Sequence, residues 1–66
     1  MKEMEKIGKL LDYYMKHNNE HAETYMVWAN QAKLTGNEEL SRIFVRLYLE
    51  SRRLNRLFEA AKKASS

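Results

Sequence analysis

Two histidines four residues apart, His17 and His21, are the residues in this 66-residue chain whose types and spacing point most directly to chemistry. Positions i and i+4 of a helix share one face, so both imidazoles can be presented to a single ion, the spacing used in the H-E-x-x-H motif. Glu50 is a candidate oxygen ligand. Glu20, three residues after His17, is a weaker one because it points away from the apolar stripe of its helix. Imidazole plus carboxylate suits a divalent transition ion such as Zn, Ni, Co or Fe, and a symmetric dimer would double the set.

Two other readings of the same residues compete with the metal site. In the first, His21 bonds to Glu50 and Asn18 pairs across a dimer axis, as one Asn at a helix seam can fix register and oligomer state. In the second, His17-Asn18-Asn19-Glu20-His21 spells H-x-x-E-H, the string of inverted zinc proteases. Such an enzyme needs a further ligand and a substrate cleft, and a chain of this length leaves little room for either. Because the sequence also lacks a Gly-rich phosphate loop, a Ser-centred elbow and any Cys, the balance leans against an enzyme.

The elements that must position these groups are helices. Pro is absent, and Gly stands only at positions 8 and 36. Gly36 suits the left-handed position just past a helix end, and Asn37 suits the cap of the next helix, with Glu38 and Glu39 in its positively polarised first turn. Apolar residues recur at helical spacing before this break (Met4, Ile7, Leu11, Tyr14, Met15, Ala22, Tyr25, Trp28, Ala29, Ala32) and after it (Leu40, Ile43, Phe44, Leu47, Leu54, Leu57, Phe58, Ala61). The reading is an all-α antiparallel hairpin in one domain, 1–66. Helix 1 spans about 2–35, the turn 35–37, and helix 2 about 38–63. Gly8 and Asn18-Asn19 are the two places where the first helix could bend or break; the stripe keeps one phase across the asparagines, which favours continuity. Tyr14, Tyr25 and Trp28 are expected on the buried side, and Met1, Met4, Met15 and Met26 as gap-fillers.

Folding the hairpin about Gly36 brings His21 and Asn18 near the level of Glu50, Ser51 and Leu54. Both apolar stripes are therefore interrupted at one height, by Asn18 and His21 on one helix and by Glu50 and Ser51 on the other. This is the polar layer that any function must explain.

Size and composition limit the rest. Such a short chain buries only about 60% of its unfolded surface, and without Cys no disulfide can compensate. A hairpin covers only part of each broad stripe, so pairing of two hairpins into a dimeric four-helix bundle is expected, with another helical protein as an alternative partner. The net charge of +3 is concentrated in residues 37–66, where Arg42, Arg46, Arg53 and Arg56 form a stripe opposite the apolar face. A phosphate-contacting role for that stripe is the weaker reading beside a solvated outer face, since the charge is small and no base-reading motif accompanies it. No apolar run approaches a membrane span, and the charged start is unlike a signal peptide, so the expected location is the cytoplasm.

Leu10-Leu11, His17-Asn18, Glu20-His21-Ala22-Glu23, Trp28-Ala29, Ala32, Gly36 and Glu39-Leu40 together resemble an uncharacterised family of small archaeal and bacterial helical domains. Its pattern is L-L…H-N-x-E-H-A-E…W-A-x-x-A…G-x-x-E. The resemblance implies a helical hairpin with His17, Asn18, Glu20 and His21 as signature positions, and it implies no particular activity. Members often carry Pro directly after the Leu pair, marking a helix start, where this chain has Asp12.

Overall fold

A computed structural model describes residues 2–65; Met1, expected as a gap-filler, and Ser66 lie outside the described residues. Two helices make up the fold, α1 (Lys2–Leu34) and α2 (Glu38–Ser65), packed side by side as an antiparallel hairpin 53 Å long. α1 runs unbroken through Gly8, Asp12 and Asn18-Asn19. Its 33 residues account for the length of the molecule at about 1.5 Å per residue. No helix among the described residues is long and apolar enough to cross a membrane.

The turn follows from its residues. Gly36 sits at φ +85°, in the left-handed region where a side chain would be strained. The Asn37 amide donates back to the Ala32 carbonyl (2.9 Å) and the Gly36 amide to Lys33 (3.0 Å), the paired bonds of a Schellman cap. Asn37 then opens α2 by accepting the Leu40 amide on its Oδ1 at 3.1 Å. One glycine and one asparagine thus end a helix, reverse the chain and begin the next helix.

The seam between the helices has a spacing of its own. In α1 the covered or half-covered positions are Gly8, Leu11, Met15, Asn18, Ala22, Tyr25, Ala29 and Ala32, joined on one flank by Met26. In α2 they are Ser41, Phe44, Tyr48, Ser51, Asn55, Phe58 and Ser65. Apart from Met26, steps of three and four alternate along α1 and along α2 as far as Phe58, the a/d spacing of a coiled coil. Lys62 occupies the next a position of α2, where it pairs with Asp12 of α1. Most seam residues are small or polar, and Ala22, Ala29 and Ala32 are the buried core. Two polar seam residues bond across to the other helix's backbone: Ser41 Oγ donates to the Ala29 carbonyl (2.8 Å), and Asn18 Nδ2 to the Ser51 carbonyl (2.7 Å).

The large apolar side chains expected in the core stand mostly outside this seam. Ile7, Tyr14 and Trp28 are 44%, 47% and 53% exposed, and Leu40, Leu47 and Leu54 are 40%, 40% and 45% exposed. The reason is angular. These residues precede the a positions, and only the a and d positions of an isolated pair face the other helix.

Candidate functional site

The two flanks of the seam differ in chemistry. In an antiparallel pair, the residues preceding each a position line one flank of the seam on both helices, and those following each d position line the other. The first flank carries Ile7, Tyr14, His21 and Trp28 on α1 and Leu40, Leu47, Leu54 and Ala61 on α2. Contact across it is seen where the Tyr14 and Phe58 rings stack at 6.1 Å. Ile43 and Leu57, 51% and 65% exposed, widen its α2 side. The second flank is mostly polar, with Met26 and Val45 among its charged and amide side chains: Asn19, Arg52 and Glu59 come together there in an open groove of about 400 Å³, with Ala22, Glu23, Tyr48, Asn55 and Arg56. In that groove the Arg52 guanidinium lies 5.9 Å from the centre of the Tyr48 ring.

His21 is the polar residue in the apolar flank. Its Nε2 lies 2.9 Å from Nε2 of His17, so one ring carries a proton that the other accepts. The ring centres are 4.5 Å apart and nearly perpendicular. Tyr13 stacks on His17 at 5.8 Å and Tyr25 on His21 at 6.3 Å, so the two imidazoles sit within a column of rings at successive turns of α1.

The polar layer gathers at the height expected from equal distances to the turn, but His21 and Glu50 do not bond to each other there. Asn18 bonds to the Ser51 carbonyl of its own chain. Glu50 is held by Arg46 one turn earlier (3.3 Å), and His21 by His17 one turn earlier, so no His21–Glu50 bond forms. In both cases the partner stands four residues back on the same helix face. Glu20 is exposed on the outer side of α1, where its carbonyl accepts the Thr24 hydroxyl. Among the described residues no three His, Cys, Asp or Glu side chains come together as a metal-sized group. The His pair alone therefore offers two donors.

Arg42, Arg46, Arg53 and Arg56 are all exposed on α2, away from the apolar flank. They share no single groove: Arg46 pairs with Glu50, Arg56 lines the polar groove beside Glu23 and Glu59, and Arg42 stands near the turn with Lys33 and Glu38. The sequence reading names neither Asn55 nor Tyr48 as part of the seam. Both are seam residues, and the Asn55 Oδ1 is buried without a hydrogen-bond partner. The signal that finds them is the alternating three-and-four spacing from Ser41, which an apolar stripe alone does not show.

Residues 7–65 match a family described as a domain of unknown function (DUF8180). The chain belongs to that family. No curated protein and no solved structure matches the sequence. The DUF8180 match takes in both helices from Ile7 onward, the turn, the histidine pair and the whole seam. The resemblance to an uncharacterised family of small helical domains thus holds at the level of the family.

Proposed function

We propose that this DUF8180 hairpin is a non-catalytic self-association module. Two copies lay their apolar flanks together and form a four-helix bundle. The observation that carries the reading is the placement of bulk: three alanines form the core of the hairpin, while Ile7, Tyr14, Trp28, Leu40, Leu47 and Leu54 line one exposed flank. That flank, with Ile43 and Leu57, is a run of half-exposed large apolar side chains shared by both helices. A flank this apolar is unusual for a surface that stays in water. The opposite flank, lined by Asn19, Arg52 and Glu59, favours a single docking face and a closed dimer over an open chain of copies.

A second copy fits the flank because a two-fold pairing sets the same rows against each other without requiring a complementary partner. In the resulting bundle, Asn18 and Ser51 order the interior of each hairpin, and His21 stands at the boundary between the two copies. Asn18, His21, Glu50 and Ser51 are then the ordering layer of this hairpin. Sedimentation equilibrium across a dilution series tests the proposal. A dimer that dissociates on dilution with loss of thermal stability is expected, since stability then depends on assembly. A monomer at tens of micromolar, equally stable at every concentration, would overturn it.

A further inference from the structure

We propose that His17 and His21 are half of a transition-metal site, and that one divalent ion is shared between the pairs of two copies. The inference rests on the face-to-face pairing above and adds a ligand to it. The two Nε2 atoms already converge on one point at 2.9 Å. With metal–nitrogen bonds of about 2.0–2.1 Å, that separation corresponds to an angle at the metal near ~90°, and opening it to about 3.3 Å gives a tetrahedral angle. The ion would sit between the two Nε2 atoms with each imidazole neutral and its proton on Nδ1, and the stacked Tyr13 and Tyr25 hold both imidazoles in place for it.

The missing donors must come from elsewhere. Arg46 engages Glu50, Glu20 lies on the outer side of α1, and no third ligating side chain among the described residues joins the pair. Position supplies the answer. Residue 18 is the midpoint of α1 (Lys2–Leu34), and His17 and His21 stand on either side of it, with His21 in the apolar flank. A two-fold axis that overlaps the flanks over their full length passes through this level. With α1 crossing α1 of the other copy, the second His17–His21 pair arrives opposite the first. Four imidazoles then complete a tetrahedral set, a donor chemistry suited to Zn, Cu or Ni.

The test uses the full chain, stripped with a chelator and titrated with Zn(II) alone, read by native mass measurement. One zinc per two chains is expected. His17→Ala and His21→Ala should each weaken zinc binding by more than about 100-fold, since even the outer partners of metal ligands are worth 10–100-fold. Both histidines are exposed and alanine favours helix, so helix content by circular dichroism should not change. Glu20→Gln and Glu50→Gln should bind zinc as the parent does. A dimer that takes up no zinc would overturn the metal site and leave the pairing standing. A monomer that binds one zinc per chain would overturn the shared site and the pairing together.

Discussion

The double substitution Leu47→Ala, Leu54→Ala separates the stability of the hairpin from that of the proposed dimer. Both leucines line the apolar flank, 40% and 45% exposed in the single hairpin. Fully burying a leucine is worth about 1.5–3 kcal/mol, so covering the exposed portion of each contributes about 1 kcal/mol. Two leucines on each of two chains then give about 4 kcal/mol, which weakens the dimer roughly a thousandfold. Alanine is the better helix former, so the hairpin itself loses little. Trp28, the only tryptophan, stands in the same flank at 53% exposure and serves as the reporter. Its emission should shift to the red as the parent protein is diluted through its dissociation range. In the double variant that shift should occur at concentrations about a thousandfold higher, with the helical signal retained at the start. Identical dilution curves for parent and variant would refute the assignment of this flank as the interface.

The seam and the turn give predictions of a different kind. Ala29→Leu forces three extra carbons into the most deeply buried position, 2% exposed, and should lower stability by about 1–3 kcal/mol, read as a lower denaturation midpoint. Gly36→Ala places a Cβ at φ +85° with no neighbour to clash with, so its cost of about 1 kcal/mol is backbone strain alone; an unchanged midpoint would count against the left-handed turn. Asn18→Ala removes the bond to the Ser51 carbonyl and should cost about 1 kcal/mol, whereas Asn18→Asp, which sets a carboxylate against that carbonyl, should cost more.

The turn was legible in the sequence because it is local: Gly36 and Asn37 determine it through their own backbone and side-chain chemistry. The height of the polar layer was also legible, because equal distances from a turn bring Asn18 to Ser51 in any straight hairpin. Which part of each apolar stripe would become the seam was not. A helical projection puts the seam at the centre of the apolar residues, and so placed Tyr14 and Trp28 inside. Close packing of two helices instead favours the row that lets the backbones approach, and that row is Ala22, Ala29 and Ala32 against Ser41 and Ser51. The partners of His21 and Glu50 were hidden for a related reason. A stripe reading tells which residues share a height, but each of these side chains is met first by a residue one turn back on its own helix.

A seam of small residues and a flank of large ones are two sides of one arrangement. Alanine and serine bring little apolar area out of water, while ordering each backbone residue costs about 1–2 kcal/mol, so the seam by itself is a weak source of stability. Its geometric effect is larger. Short side chains leave the rows beside them uncovered, so Tyr14, Trp28, Leu40, Leu47 and Leu54 stand together on one elongated surface of a molecule 53 Å long. Exchanging the rows, with leucines in the seam and alanines outside, would give a hairpin with a fuller core and nothing to dock. On this argument the stabilisation missing from the single hairpin is held on its outer flank, and the His17–His21 pair stands midway along that flank, where a second copy would meet it.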